Sequence, residues 1–284
     1  MKFEFIRNHA SEFPVTVMCK ALKVSRSGYY VSRDRPASLR SQRRTRLLSA
    51  IEVAHTSSRR LYGSPRVHAA LVSAGEPCCV NTVARLMKRH GVRARTKRKY
   101  KATTNSAHSL PVAENLLGRD FHRSRPNEAW VGDITYIPTR EGWLYLATVE
   151  DLYSRRIVGW AMSERMTSDL VIAALNMAIQ ARRPKAGLIH HSDRGSQYAS
   201  HAFGRMLKAH GIVASMSRRA DCYDNAVMES FYATLKKELI SFADYATREE
   251  ARKAIFEYIE VYYNRSRRHS TLGHMTPEEF EAAA

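Results

Sequence analysis

The stretch EAWVGDITYIPT, residues 128–139, alternates like a β-strand but is apolar on both of its faces. One face carries Trp130, Ile134 and Tyr136, and the other carries Val131, Thr135 and Ile137. A strand that is apolar on both faces is typical of the centre of a sheet with helices on both sides. This stretch therefore predicts an α/β fold.

Asp133 lies in the middle of this strand, where an unpaired carboxylate would cost several kcal/mol. A salt bridge or a divalent cation would compensate its charge. The neighbouring strands offer no obvious basic residue at inward positions. This favours a metal ion, with the salt bridge as the alternative.

The segments around this strand follow the order βββαβαβα. Two strands follow at hairpin-like spacing, and a helix opens with Ser168 as its N-cap. A strand at LIHHSDRGSQY, a helix, a strand at IVASMS and a helix at DCYDNAVMESFYATLKKEL complete the order. We expect a mixed sheet flanked by helices.

Asp193 ends a short apolar strand just before a glycine turn, which is where open α/β sheets place their sites. A plain turn aspartate is the alternative. The adjacent His190, His191 and Ser192 do not form a hydrolase triad, because successive strand residues point to opposite faces.

Glu229 lies on the helix of residues 221–239. At 100° per residue, an apolar stripe contains Val227, Phe231, Leu235 and Leu239, and a polar stripe contains Asn225, Glu229, Tyr232 and Lys236. A surface helix shows the same division, so this pattern leaves open whether Glu229 is a surface charge or a working carboxylate.

The three carboxylates Asp133, Asp193 and Glu229 indicate a function more clearly as a set than each does alone. Carboxylate oxygens are the ligands that Mg²⁺ prefers, and proteins usually hold it with few carboxylates plus substrate phosphates. Two ions ~3.5 to 4 Å apart could activate an attacking hydroxyl and stabilise the leaving oxygen at phosphorus. The set therefore favours phosphoryl transfer.

The formal net charge of +19 is concentrated in one part of the chain. Residues 1–126 hold 26 bases and 7 acids, whereas residues 127–284 hold 20 of each. A basic part joined to a neutral part suggests a module that grips a polyanion, most commonly nucleic acid. No apolar run reaches the ~18 to 20 residues of a membrane span, and no secretory signal is visible, so we expect a cytoplasmic protein with no membrane partner.

Helix signals in the basic part predict paired helices. One pair falls within residues 13–33, with a turn at Ser25–Gly28. A second pair is capped by Ser64 and by Asn81, and its second helix buries Val83, Leu86 and Met87. The basic residues Arg85, Lys88 and Arg89 face elsewhere, which is plausible for a DNA-recognition helix.

A dense basic tail follows this helix and contains Arg93, Arg95, Lys97, Arg98 and Lys99. Such a run suits contact with DNA phosphates, and a solvated linker is the alternative.

The spacing of the carboxylates resembles a known family. Asp133 and Asp193 are 60 positions apart, and 35 residues separate Asp193 from Glu229, which is the D,D(35)E pattern of retroviral-integrase-like transposases. The segments WVGDITYIPT, HSDRGSQYAS and YYNRSRRHSTLGHMTPEEF look like the second-frame (OrfB) catalytic protein of insertion sequence family three. The likeness covers nearly the whole chain, because LYGSPRVHAAL also resembles that family's helix-turn-helix region.

The resemblance implies an RNase H-like core in which Asp133, Asp193 and Glu229 bind two Mg²⁺ ions, for which Mn²⁺ can substitute. It implies a DDE-type transposase, a polynucleotidyl transferase and endonuclease that nicks the element's ends and joins the freed 3′-hydroxyl to DNA. It also places Lys236 against DNA and gives Asn225 the task of orienting the helix or the substrate. Ala220 departs from the glycine that many relatives carry before this helix.

The resemblance also implies partners. They are double-stranded DNA (terminal inverted repeats and target), further copies of the chain on DNA, and a first-frame helix-turn-helix and leucine-zipper protein or a frameshift fusion with it. We expect a bacterial, nucleoid-associated protein.

The predicted divisions are a helical region at 1–58, a basic helix-turn-helix region at 59–102, a linker at 103–126, the catalytic core at 127–242 and a helical extension at 243–284. A non-catalytic DNA-binding regulator derived from a transposase is the alternative function. A hybrid-specific ribonuclease on the same fold is a third.

Overall fold

The computed structural model describes residues 2–34, 36, 38–95, 111–218 and 222–284. The basic-tail residues Lys97, Arg98 and Lys99 and the unusual Ala220 lie outside the described residues. The chain forms two compact units, Met1–Val53 and Ala54–Ala284. The five-part division made from the sequence stays a prediction.

The first unit is helical. It contains α1 (Lys2–Asn8), α2 (Val15–Ala21), α3 (Arg26–Asp34) and most of α4 (Leu39–Ser57). Ile6, Met18, Cys19 and Tyr29 form a small core. The turn predicted at Ser25–Gly28 is wrong, because α3 already begins at Arg26. The Ser25 hydroxyl accepts a hydrogen bond from the Gly28 N–H at 3.0 Å, which satisfies a free donor in the first turn of α3.

The second unit begins with the end of α4 and a helix pair, α5 (Ser64–Ser73) and α6 (Val80–Arg89). The prediction for α6 is confirmed, because Val83, Leu86 and Met87 are buried and the basic residues are exposed. The predicted N-caps are wrong by one or two residues. Gly63 and Cys79 have the extended backbone of the cap position, so Ser64 and Asn81 already lie within the helices.

A five-stranded mixed sheet forms the centre of this unit, as the sequence predicts. Its strands are β1 (Ala129–Thr139), β2 (Gly142–Asp151), β3 (Ile157–Ser163), β4 (Ile189–Ser192) and β5 (Val213–Met216). They lie in the order β3-β2-β1-β4-β5, which puts β1 at the centre. The pairs β1·β2 and β2·β3 are antiparallel, and β1·β4 and β4·β5 are parallel.

Helices cover both faces of the sheet. The covering helices are α7 (Ser168–Arg182), α8 (His201–Ala209), α9 (Ala226–Glu238) and α10 (Arg248–Phe256). One core joins Trp130 to residues of α7 and α8, and a second joins Val131 to residues of α9 and α10. Thr167, not Ser168, is the N-cap of α7. Gly159 admits the close approach of α7, because a Cβ there would lie 2.3 Å from the Ala174 carbonyl oxygen.

The chain ends in a helical extension. After α10 the helix continues with π-helical bonding over Glu257–Tyr263. The last helix, α11 (Pro277–Ala282), begins with a capping box in which Thr276 and Glu279 exchange hydrogen bonds. No described helix combines the length and the apolar character needed to cross a membrane.

Candidate active site

Strand pairing brings Asp133 and Asp193 together. In the parallel pair of β1 and β4, Gly132 pairs with Ser192. Asp133 and Asp193 are the next residues along these strands, and Asp193 directly follows the carboxyl end of β4. The two carboxylates therefore occupy adjacent positions on neighbouring strands, at the edge where α/β sheets place their sites.

The environment of Asp133 opposes its negative charge. Burial raises the pKa of its carboxyl well above the ordinary value, and the charges of Asp193 and Glu229 raise it further. A hydrogen bond of 2.7 Å from the Ile134 N–H and the charge of Lys236 act in the opposite direction. Among the described residues, Lys236 is the cation whose charge acts on Asp133, and it does not offset burial and the two acids.

A turn orients Asp193. Its Oδ1 accepts a hydrogen bond of 2.9 Å from the Gly195 N–H, the contact expected of a turn aspartate. A Cβ on residue 195 would lie 3.0 Å from the same oxygen, so glycine suits this close approach. The turn role and the site role of Asp193 are compatible, because the turn holds the carboxylate beside Asp133.

Helix α9 is fastened to the sheet next to Asp133. The Tyr232 hydroxyl donates to the Asp133 carbonyl oxygen at 2.5 Å and lies 2.8 Å from the Thr148 hydroxyl. Tyr232 follows Glu229 by three residues, so both lie on the same side of α9. Glu229 is exposed on that side, and partial burial raises the pKa of its carboxyl. Tyr232 was not among the predicted site residues.

The predicted stripes of α9 need correction. The buried residues are Met228, Phe231, Tyr232 and Leu235. Val227 is only half-buried, whereas Tyr232, predicted as part of a polar stripe, lies in the core. The helix is therefore rotated relative to the prediction, because the Tyr232 hydroxyl finds buried partners on β1 and β2.

Lys236 lies on the Glu229 side of α9 and is half-buried. Its Nζ lies 4.9 Å from the centre of the Tyr136 ring, within reach of a cation–π contact. Burial lowers the pKa of its ammonium group, and the nearby charge of Asp133 opposes this change. Lys236 therefore places a positive charge next to the carboxylates.

Asp224 anchors the start of α9, a role that sequence reasoning missed. Its buried carboxylate accepts hydrogen bonds from the Arg218 and Arg119 guanidinium groups and from the Asn115 amide. Hydrogen bonds from Arg218 lower the pKa of Asp224 despite its burial. The available signal was an Asp-Asn pair directly before a helix. Asn225 is also buried, which favours a role in orienting the helix over direct contact with DNA.

The histidines of β4 face opposite sides of the sheet. His191 lies between the hydroxyls of Ser215 and Ser217, at 2.8 and 3.2 Å, and burial lowers its pKa to about 4. His190 packs against Phe203 on the other face, and burial lowers its pKa to about 3. This arrangement agrees with the exclusion of a hydrolase triad.

In the part of the chain that the structure describes, no group of three or more His, Cys, Asp or Glu side chains is close enough to hold a metal ion. The donor chemistry nevertheless fits a divalent cation. Asp133 and Asp193 supply hard oxygens on adjacent strands, and their mutual repulsion is the kind that a cation relieves.

The predicted DNA-contact residues of the helix pair are accessible. Arg85, Lys88 and Arg89 are exposed on α6, and Arg93 is exposed just after it. Arg95 is also exposed, with its guanidinium 4.2 Å from the Phe242 ring centre.

Comparison with known proteins identifies the family. Residues 123–222 and 210–277 each match an integrase core domain, and residues 42–100 match an HTH-like domain. The chain is 47% identical over 283 residues to "Transposase InsF for insertion sequence IS3A" of Escherichia coli (strain K12), covering 99% of this chain and 98% of that protein. The chain belongs to the IS3 family of transposases.

The recognition made from the sequence is thus confirmed, as are the fold class and the enzyme class. This IS3-family transposase is also 49% identical over 263 residues to the "Insertion element IS600 uncharacterized 31 kDa protein" of Shigella sonnei, covering 93% of this chain and 97% of that one. Among solved structures, a simian T-cell lymphotropic virus intasome in complex with PP2A regulatory subunit B56 gamma has a TM-score of 0.48 at 19% identity, covering 82% of this chain and 74% of that chain. The HTH-like domain of the transposase implies that it binds DNA.

Proposed function

We propose that this transposase cuts DNA strands at the ends of its insertion sequence and joins the freed 3′ ends to target DNA, in a reaction that depends on a divalent metal and on Asp133, Asp193 and Glu229. The register that makes Asp133 and Asp193 neighbours on β1 and β4 carries this proposal. The bond from Tyr232 to Asp133 supports Glu229 as the third member.

The three carboxylates would hold two Mg²⁺ ions, and Mn²⁺ suits the same oxygen donors. The chemistry that such ions supply when bound is a more acidic attacking hydroxyl and a stabilised leaving oxygen at phosphorus. The cost of burying Asp133 as an anion beside Asp193 supports this assignment, because a cation would offset it.

Residues around the carboxylates position the reacting groups. The Gly195 N–H holds the Asp193 carboxylate, and the Ile134 N–H holds that of Asp133. Tyr232 fixes the distance between α9 and β1, which keeps Glu229 close to Asp133. Lys236 would contact a DNA phosphate near the cut strand, because its ammonium group lies beside the carboxylates rather than in open solvent.

The catalytic proposal is tested by Asp193→Asn. A duplex that carries the inverted repeats flanking the coding sequence is incubated with protein and Mg²⁺, and cleavage and joining are measured. We expect both reactions to be lost while DNA affinity changes less than about 3-fold, because the charge of one ligand is removed and the DNA-binding helices are untouched.

Asp169→Asn is the matched control, because Asp169 is an exposed residue in the first turn of α7. It should cleave like the wild type. Undiminished cleavage by Asp193→Asn would contradict the catalytic proposal. Tight, salt-sensitive DNA binding by a wild type that never cleaves would favour the non-catalytic regulator instead.

DNA binding is proposed to use the exposed bases of α6 and the basic tail. Neutralising Arg95, Lys97, Arg98 and Lys99 together should reduce the slope of log affinity against log salt by about 3 to 4, at ~0.9 per phosphate contact. The control is a variant in which four exposed bases outside the tail are neutralised, Arg183, Lys185, Arg205 and Lys208. An unchanged slope in the tail variant would assign the tail to a linker.

A further inference from the structure

A polar cavity lies beside α9, on a side of the helix different from that of Glu229. It has a volume of about 270 Å³, and we call it the arginine cavity because Arg66, Arg155 and Arg267 line it. At 100° per residue, Ser230 and Thr234, which also line it, lie about 100° and 140° around α9 from Glu229. The arginine cavity and the three carboxylates are therefore served by different sides of one helix.

Two of the three guanidinium groups share one carboxylate. Arg267 donates to both oxygens of Glu238, with Nε at 2.9 Å from Oε2 and Nη2 at 2.9 Å from Oε1. Arg66 Nη1 lies 3.7 Å from the same Oε1. Among the described residues, one carboxylate therefore pairs with two guanidinium groups, which leaves an excess of one positive charge.

Arg155 adds a further positive charge. Within the described ranges its Nη1 is buried and has no hydrogen-bond partner. Its Nη2 donates a long hydrogen bond of 3.4 Å to the Phe121 carbonyl oxygen. A buried guanidinium N–H without a partner is costly, and such groups are normally found bound to a carboxylate, a phosphate or ordered water.

Glu150 also lines the arginine cavity, but it does not neutralise it. Its side chain is 2% exposed, and its Oε2 has no hydrogen-bond partner in the described part of the chain. Burial raises the pKa of its carboxyl to about 8, although the charges of Arg155 and Arg267 lower it. At neutral pH this carboxyl is mostly protonated, so it offers a donor rather than a negative charge.

Hydroxyl groups complete the lining. Ser230 and Thr234 come from α9, and Ser270 and Thr271 come from the segment between the π-helical turn and α11. Their O–H groups are neutral donors of the kind that surround bound oxyanions. The volume far exceeds the ~15 Å³ that one water molecule needs.

We propose that the arginine cavity is a binding site for a phosphate group, with the guanidinium group of Arg155 as its principal ligand and the hydroxyls of Ser230 and Thr234 as secondary donors. Arg155 supplies the fork of N–H donors that matches phosphate oxygens. The phosphate belongs either to the DNA backbone or to a small phosphate ester. The first source rests on the proposed function, whereas the site itself does not.

Thermal unfolding of the full chain tests the site with inorganic phosphate as the probe. Melting temperatures are measured at pH 7 over a phosphate series, with sodium chloride at matched ionic strength as the reference. We expect phosphate to raise the melting temperature of the wild type beyond chloride, and Arg155→Gln to weaken the apparent phosphate affinity at least about 10-fold.

Arg265→Gln is the matched control, because it removes the same charge from an exposed arginine that does not line the cavity. It should keep the wild-type response. Ser230→Ala keeps every charge and should weaken phosphate about 3-fold or more, which preserves the test if Arg155→Gln folds poorly. The proposal is overturned if phosphate acts no differently from chloride, or if both variants respond like the wild type.

A second arm identifies the source of the phosphate. Duplex affinity is measured for the wild type, Arg155→Gln and Arg265→Gln at one ionic strength. Weaker DNA binding by Arg155→Gln alone assigns the site to a backbone phosphate, and unchanged DNA binding with a lost phosphate response assigns it to a small phosphate ester. Neither arm needs Mg²⁺ or cleavage, so failure of the catalytic proposal would leave both results readable.

Discussion

The two sides of α9 carry opposite excesses of charge. On one side, the charges of Asp193 and Glu229 both act on Asp133, and the positive charge of Lys236 opposes them. On the other side, Arg66, Arg155 and Arg267 surround a cavity in which Glu150 is mostly protonated at neutral pH. The helix α9 thus lies between a cluster with excess negative charge, the carboxylates, and a cluster with excess positive charge, the guanidinium groups.

The difference shows how a buried charge excess can be interpreted. Like charges brought out of water raise the free energy of the folded state unless a counter-ion or ligand accompanies them. The carboxylate side fits a cation, and the guanidinium side fits an anion. Because both clusters contact the same helix, each can be changed while the other serves as a reference.

Glu229→Gln should have the largest effect. We expect DNA cleavage to fall about 10³-fold, equivalent to about 4 kcal/mol of transition-state stabilisation, because a charged member of the carboxylate set is lost. Cleavage of the terminal-repeat duplex measures it. Ser230→Ala, the next residue but on the other side of α9, should stay within about 10-fold of the wild type. Equal losses of cleavage activity in both variants would contradict the proposed difference in function between the two sides of α9.

Glu238→Gln should destabilise the guanidinium side by about 4 kcal/mol, because it leaves Arg267 buried without its charged partner. The side chains of Arg267 and Glu238 are only 6% and 7% exposed. Urea unfolding measures the loss, with the exposed Glu249→Gln as the control at under about 0.5 kcal/mol. Added phosphate should recover part of the stability, and a variant as stable as the wild type would argue against a charge excess here.

Glu150→Gln should stabilise the protein at high pH. The pKa of Glu150 is about 8 in the folded state and near 4.5 in the unfolded state, so its contribution is fully present below pH ~4.5 and is lost as the pH rises to ~8. The amide cannot ionise. We expect a gain of about 4 kcal/mol at pH 8 and of only about 1 kcal/mol at pH 5, from urea unfolding at both values.

The described titratable groups that face Glu150 are Arg155, Asp151, Arg267, Tyr232 and Tyr263. Because these groups are the same in variant and wild type, the difference between the two isolates Glu150. A gain that does not depend on pH would show that Glu150 is ionised throughout.

Lys236→Gln should have the smallest effect, about 10-fold lower cleavage or DNA affinity, since it removes one phosphate contact. The control is Lys237→Gln, which removes the neighbouring exposed lysine and should change either quantity less than about 2-fold. Similar effects from both substitutions would make Lys236 an ordinary surface charge.

Local sequence patterns determined much of the fold. The two-sided apolar strand at residues 128–139 became the central strand, and the order of strands and helices is as predicted. These features could be read because periodicity reports directly which faces of a segment are buried. Helix starts were less readable: Ser64, Asn81 and Ser168 are good cap residues, yet the backbone places the cap one or two residues earlier.

The candidate site was only partly readable. Spacing and family likeness singled out Asp133, Asp193 and Glu229, but not the partners that hold them. Tyr232 looked like part of a polar stripe, and its role depends on a carbonyl oxygen 99 residues away in sequence. Asp224 likewise depends on residues that precede it in the sequence, at Arg119, 105 positions away, and at Arg218, 6 positions away.

The arginine cavity could be recognised only from the tertiary structure. Its lining comes from α5, from the end of β2 and the turn after it, from α9, from the π-helical turn and from the segment before α11, and no spacing in the sequence connects them. Sequence by itself determined the alternating elements, the basic first part and the three carboxylates, because these are local or compositional properties. Which charges are left without a counter-charge depends on the positions of distant side chains after packing, so only the folded chain could decide it.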